Sequence, residues 1–144
     1  MTTRLFRAAG VFALLLAFAL PAFAQSSPVG TWRTFDDDGT PKSIVRITES
    51  GGTLTGTIVR LLPEGRICTD CDGRYKNSNL QGTRVLWGFS RDGDEYTGGR
   101  AFDPANGKTY RGVMKVERDG RLYLRGYVAG IRALGRTQYW ERIR

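Results

Sequence analysis

The sequence has 144 residues, and its 22 Lys and Arg against 14 Asp and Glu give a net charge of +8 without any His. The absence of His excludes the Ser-His and Cys-His arrangements of nucleophilic catalysis. The remaining carboxylates lie beside turn glycines and form no obvious acid and base pair, so we expect a protein that is not an enzyme. The positive charge is spread along the chain instead of forming a block, which is typical of a solvated surface.

The first 24 residues have the layout of a cleavable secretory signal peptide. Arg4 and Arg7 precede the apolar stretch 8–20, and Ala22-Phe23-Ala24 stands directly before Gln25. The apolar stretch is shorter than the roughly 20 residues of a membrane helix, which favours cleavage over an uncleaved anchor. We therefore predict a periplasmic or secreted protein whose residues 25–144 form one domain. In that setting a basic protein meets anionic lipid head groups and acidic metabolites, and we expect no nucleic-acid partner.

From Gln25 onward, short β-branched and aromatic runs alternate with Gly, Asp, Asn and Pro, a pattern typical of an all-β protein. Most connections are short and contain a Gly, such as the RDG turns at 91–93 and 118–120, and short turns join antiparallel neighbours. Closing such a meander removes its two exposed edges, so we predict a small up-and-down antiparallel barrel. The eight predicted strands lie at 30–35, 43–49, 53–62, 83–89, 94–102, 108–117, 121–128 and 136–142.

In a closed meander the first and last strands are neighbours, which brings the two ends of the domain together. The first strand opens with Gly30-Thr31-Trp32, and the last ends with Trp140-Glu141-Arg142. We predict that Trp32 plugs one end of the barrel and that Arg142, or Arg136, packs its guanidinium over the indole. Such a contact contributes on the order of 1 kcal/mol.

Alternation along the strands predicts which side chains face the interior. Trp87 should share the inward face with Val85 and Phe89. On the strand 121–128, Arg125 and its neighbours form either an outer amphipathic stripe or, with the register moved by one residue, a polar lining. The residues predicted to line or gate the interior are Trp87, Tyr96, Phe102, Tyr110, Met114 and Tyr127, with Arg125 and Gln138 as polar anchors.

Cys68 and Cys71 stand as CTDC in the long connection at 63–82. In an oxidising compartment we expect them to form a disulfide that orders this loop. A redox-active pair normally opens a helix in a βαβ unit, which the sequence does not predict. A zinc site would need two further ligands, and only Asp70 and Asp72 are near. We therefore expect neither a metal nor a cofactor.

The segments VGTWRT, PKSIVRI, LTGTIVRLL, DPANGKTY, LRGYVAG and GRTQYWER follow one another along the chain. In this order they resemble the bacterial exported family catalogued as domain of unknown function 2147. The opening Gly-x-Trp and the closing Arg are also similar to the lipocalin and fatty-acid-binding superfamily. These resemblances imply a lipocalin-like barrel and a periplasmic or secreted location, and they transfer no catalytic residue. The sequence departs from the lipocalin pattern in lacking a convincing helix near the barrel end.

Two functions of different classes follow. The first is a small-molecule binding protein that holds an apolar or amphipathic ligand, including an anionic one, inside the barrel. The second is a non-enzymatic interaction module, in which a filled barrel uses its loops and basic exterior to bind an envelope protein or an anionic membrane surface. The sequence predicts neither the ligand nor the oligomeric state.

Overall fold

The computed structural model of the protein describes residues 27–144, so the predicted signal peptide at residues 1–24 lies outside the described residues. Within residues 27–144, no helix is long and apolar enough to cross a membrane. The strands are β1 (Gly30–Phe35), β2 (Pro41–Ser50), β3 (Thr53–Leu61), β4 (Arg84–Asp92), β5 (Glu95–Asp103), β6 (Lys108–Val116), β7 (Leu122–Tyr127) and β8 (Gly135–Ile143).

The eight strands form a closed antiparallel barrel in which each strand pairs with the next. Closure occurs at β1, where Trp32 is opposite Val45 of β2 on one side and Arg142 of β8 on the other. Every strand edge is therefore paired, which removes the unpaired backbone groups of an open sheet. The predicted all-β, up-and-down barrel is confirmed.

Phe89 fills the centre of the barrel and is completely buried. Its ring lies directly on the backbone of two glycines, Gly99 and Gly112, which face each other across β5 and β6. A Cβ atom added to Gly99 would lie 2.2 Å from Cγ of Phe89, and one added to Gly112 would lie 2.6 Å from Cζ. The two glycines are therefore required by the close approach of the ring.

Bulges interrupt the alternation of β4 and β5. Between the pairs Gly56–Leu86 and Leu54–Phe89, β4 contains one residue more than β3. Gly88 provides the extra residue in a left-handed conformation with φ of +72°, and Gly98 has the same φ in β5. Residues with a side chain rarely adopt this conformation, and an extra residue moves the following side chains to the opposite face.

This bulge corrects the prediction for Trp87. Leu86 and Phe89 are both buried in the core, whereas Trp87 between them is half-buried on the outer face. Val85 and Phe89 are buried in the core as predicted, together with Leu86. Trp87 departs from the prediction because the prediction assumed an unbroken period of two residues along the strand.

The long connection between β3 and β4 is an ordered loop. Cys68 and Cys71 form the predicted disulfide. The backbone N–H of Cys68 donates to the carbonyl oxygen of Ser78 at 2.9 Å, and Leu80 is buried in the core. The described part of the chain contains one short helix, a 3-10 turn at Gly73–Tyr75 within this loop.

Replacing Cys68 with Ser tests the role of the disulfide. Cys68 is more exposed than Cys71, which is 2% exposed, so this replacement removes the bond with little loss of packing. We expect a folded barrel whose free energy of unfolding falls by about 2 kcal/mol, the value for a short closed loop. Urea unfolding measures the loss. An unchanged mass after alkylation of the unmutated protein without reductant is expected, and alkylation of both thiols would contradict the assignment.

Candidate ligand cavity

One end of the barrel is closed by the buried side chain of Trp32. Its Nε1 donates a hydrogen bond to the carbonyl oxygen of Pro28 at 2.8 Å. The guanidinium of Arg142 lies 4.2 Å from the centre of the indole and donates to the carbonyl oxygens of Val29 and Ser27. Burial lowers the pKa of Arg142 below its ordinary value. These contacts hold the segment before β1 against the last strand and cover this end.

The other end contains a cavity of about 530 Å³, which we call the barrel cavity. It extends from the interior to the loops that connect β1 to β2, β5 to β6 and β7 to β8. In an antiparallel meander these alternate connections lie at the same end, opposite the tight turns that join the other strands. The volume is within the range of about 300–1,000 Å³ that is typical of small-molecule sites.

The floor of the barrel cavity is apolar. It consists of six buried apolar side chains, none of which is more than 7% exposed. Because these residues come from five different strands, the floor depends on closure of the whole barrel. The residues are Val45, Ile58, Val85, Leu86, Leu124 and Trp140.

The rim of the barrel cavity is charged. Nζ of Lys42 lies 3.3 Å from Oδ1 of Asp36, and Arg136 forms an ion pair with Asp37. All four side chains are at least partly exposed, so these pairs contribute little to stability. Either cation can therefore exchange its carboxylate for an anionic group of a ligand at low cost.

Two hydrogen-bonded pairs add neutral polar groups to the lining of the barrel cavity. Nε1 of Trp140 donates to Oε1 of Gln138 at 3.0 Å, which leaves the Nε2 group of Gln138 to donate elsewhere. Nδ2 of Asn106 donates to the hydroxyl oxygen of Tyr110 at 2.8 Å. Such fixed donors and acceptors orient a ligand in a mostly apolar site.

Residues 30–142 match the family described as "Uncharacterized protein conserved in bacteria (DUF2147)". The chain belongs to this family. A search of curated proteins finds no match.

The barrel is also similar to a solved structure described as "Protein HP1028 from the human pathogen Helicobacter pylori belongs to the lipocalin family". The similarity covers 82% of this chain and 84% of the other, with a TM-score of 0.69 and 20% sequence identity. At this identity the comparison shows a lipocalin-like fold.

The structure brings three of the predicted ligand-binding residues together at the barrel cavity. Phe102, Tyr110 and Gln138 line it, on β5, β6 and β8. Two residues predicted to close the barrel also line this cavity. Trp140 lies on the floor of the cavity. Arg136 lies at the rim, which is at the opposite end of the barrel from Trp32. Of the two arginines predicted to pack over the indole of Trp32, Arg142 makes this contact and Arg136 does not.

Tyr96 and Met114 face the interior but do not line the barrel cavity. They are opposite each other on β5 and β6, and both are buried in the core beside Phe89. They pack in the closed half of the barrel, which is filled with side chains, and their predicted role in ligand binding stays a prediction.

Arg125 and Tyr127 lie on the outer face of β7, because Leu124 and Gly126 of this strand line the interior. The guanidinium of Arg125 donates to the carbonyl oxygen of Arg132 and to Oγ1 of Thr137, each at 2.7 Å. Arg125 thus holds the loop after β7 against the outside of the barrel. Of the two alternatives that the sequence left open for Arg125, the structure has the outer stripe. Trp87 and Tyr127, which were predicted to line or gate the interior, also lie on the outer face.

The charged rim was not predicted from the sequence. Asp36, Asp37 and Lys42 lie in and beside DDDGTP at 36–41, and Asn106 lies in DPANG at 103–107. None of these four residues was predicted to belong to a site. The rim could have been predicted from the topology, because alternate loops of a meander meet at one end of the barrel.

Proposed function

We propose that the protein is an exported carrier that holds an apolar or amphipathic small molecule in the barrel cavity. The observation that carries this proposal is a cavity of about 530 Å³ with an apolar floor and a charged rim. The proposal includes no catalytic step and no cofactor.

The distribution of polarity favours an amphipathic ligand. An apolar body would pack against Leu86, Leu124 and Trp140, because burial of apolar surface is favourable at this depth. A polar or anionic end would reach Lys42 or Arg136 at the rim. The ligand would then lie with its long direction along the barrel axis.

Export is supported by two features. The layout of residues 1–24 is that of a secretory signal peptide. The disulfide between Cys68 and Cys71 is of a kind that persists in oxidising compartments such as the periplasm. We propose that the mature protein begins at Gln25 and acts in the periplasm or outside the cell.

Replacing Ala101 with Phe tests the cavity as the binding site. Ala101 lines the barrel cavity and is opposite Leu86 and Tyr110 on the neighbouring strands. A larger side chain there would occupy the space above the floor. The unmutated protein should enhance the fluorescence of N-phenyl-1-naphthylamine, an uncharged apolar dye. We expect Ala101→Phe to weaken the affinity for this dye at least about ten-fold.

Ser90→Phe is the matched control, because Ser90 is exposed on β4 outside the cavity. This variant should bind the dye as the unmutated protein does. Circular dichroism and urea unfolding establish that both variants are folded. Equal binding by the unmutated protein and a folded Ala101→Phe variant would contradict the proposal.

Native mass spectrometry of protein purified from its own bacterium tests the same proposal without a probe. We expect one small molecule bound per protein, and a polypeptide mass that corresponds to a chain beginning at Gln25. Protein that is empty, and that also fails to bind the dye, would contradict a carrier function.

A second candidate function is membrane docking, favoured by one observation at the cavity mouth. Val128, Ile131 and Leu134 are 47%, 50% and 58% exposed in the loop between β7 and β8. Exposed apolar side chains on a basic protein suit an anionic membrane surface. Salt-sensitive sedimentation with phosphatidylglycerol vesicles, in place of dye binding, would favour this function over the carrier.

A further inference from the structure

A second concave site lies on the outside of the barrel. We call it the arginine–aromatic groove and define it by Arg74, Tyr75, Arg84, Trp87 and Phe102. Its volume is about 550 Å³, and it lies between the β3–β4 loop and the outer face of β4 and β5. Phe102 lines both this groove and the barrel cavity, so its side chain lies at the boundary between the two.

The walls of the groove hold aromatic rings in fixed positions. Tyr75 and Phe102 contact each other with their ring centres 5.3 Å apart, which joins the loop to β5. Trp87 is half-buried on the outer face because of the bulge at Gly88. The same bulge that removes the indole from the interior therefore presents it to the groove.

The groove is positively charged. The guanidinium of Arg84 lies 5.1 Å from the ring centre of Trp87, and that of Arg74 lies 4.7 Å from the ring centre of Tyr75. Within residues 27–144, neither arginine forms an ion pair, and no Asp or Glu lines the groove. Arg100, directly opposite Trp87 on β5, adds a third cation nearby.

This combination has a definite chemical preference. A guanidinium that lies over an aromatic ring can still bind a carboxylate or a phosphate through the N–H groups at its edge. Nη2 of Arg74 donates to the hydroxyl oxygen of Tyr75, which leaves its other N–H groups for a ligand. The outer faces of the guanidinium planes, together with the exposed edges of the half-buried rings, offer surfaces against which a planar group can stack. A ligand that satisfies both features is anionic at one end and flat and apolar at the other.

We propose that the arginine–aromatic groove binds a small organic anion, a planar apolar ring that carries a carboxylate or phosphate group, independently of the barrel cavity. Two observations support this assignment: Arg74 and Arg84 form no ion pair within residues 27–144, and no Asp or Glu lines the groove. The groove is lined by the disulfide-containing loop, so ordering of that loop is part of the site.

The three tryptophans allow a direct test by NMR of protein with isotope-labelled Trp. The indole N–H groups of Trp32 and Trp140 are hydrogen-bonded inside the barrel, to Pro28 and Gln138. We expect naphthoate and naphthyl phosphate to shift the indole resonance of Trp87 in a saturable manner while that of Trp140 stays in place. Loss of one resonance in Trp87→Phe assigns the signal.

Arg84→Gln should weaken binding of both probes roughly ten-fold or more, because it removes a charge-assisted contact. Arg121→Gln is the matched control, since Arg121 also lies over an aromatic ring, Tyr139, but is paired with Asp119. That variant should bind as the unmutated protein does. Binding should also persist in Ala101→Phe, which separates this site from the carrier proposal.

Several results would overturn the proposal. One is unchanged naphthoate binding by Arg84→Gln, and another is a shift of Trp140 in place of Trp87, which would place the probe in the barrel cavity. Equal binding of the neutral naphthyl methanol would remove the anionic requirement, and an equal response to inorganic phosphate would remove the aromatic one. Failure of both anionic probes to bind would also contradict it.

Discussion

Replacing Trp32 with Ala is expected to lower the free energy of unfolding by roughly 3–5 kcal/mol, as large aromatic deletions in cores do. The indole is completely buried at the closed end of the barrel. Its removal leaves a cavity, an unpaired carbonyl oxygen at Pro28, and the guanidinium of Arg142 without the ring beneath it. Urea unfolding followed by circular dichroism measures the change.

Tyr139→Ala is the control for this experiment, because Tyr139 is on the neighbouring strand β8 but is 43% exposed on the outer face. The ring centres of Tyr139 and the half-buried Tyr123 lie 5.8 Å apart, and loss of this contact on the outer face should cost less than about 1.5 kcal/mol. If Trp32→Ala were no more damaging than Tyr139→Ala, closure of the barrel by Trp32 would not contribute to stability.

Replacing Gly99 with Ala should destabilise the protein although it adds only one methyl group. The new Cβ would lie 2.2 Å from two ring carbons of Phe89, well inside van der Waals contact. Phe89 is completely buried and is also packed against Gly112, so the ring has no free space to move into. Overpacking of this kind typically costs 1–3 kcal/mol, and we expect roughly the upper end.

A double replacement distinguishes this contact from a general effect of removing glycine. Phe89→Leu combined with Gly99→Ala should cost less than the sum of the two single variants, since the smaller side chain relieves the overlap. Gly126→Ala, on β7 two strands away, is the matched control. Its added Cβ would meet its nearest atom, Cβ of Tyr110, at 3.4 Å and should leave stability nearly unchanged. Strict additivity in the double variant would refute the packing explanation.

The strand order and the barrel were predictable because the signals are local. Each hairpin is marked by a Gly-containing turn, as at 91–93 and 118–120, and each strand by a β-branched or aromatic run. The predicted and observed bounds agree to within a few residues, and β1 (Gly30–Phe35) agrees completely. The disulfide in the β3–β4 loop was predictable from spacing and compartment.

The candidate site was predictable only in part. Phe102, Tyr110 and Gln138 line the barrel cavity, whereas Trp87 lies outside because the bulge at Gly88 moves it to the other face. A glycine within a strand indicates a bulge, a bend or a close approach, and the sequence does not distinguish them. Here Gly88 forms a bulge, while Gly99 makes room for Phe89.

By itself, the sequence determined the number of strands, their antiparallel order and the pairing of the two cysteines, because these follow from local turn chemistry and from the layout of residues 1–24. Only the tertiary structure decided which end of the barrel is filled and which is hollow. Trp32 and Trp140 lie on strands paired with each other, yet one closes the barrel and the other forms the cavity floor. That difference arises from the register set by closure and by the bulges, which no single segment specifies.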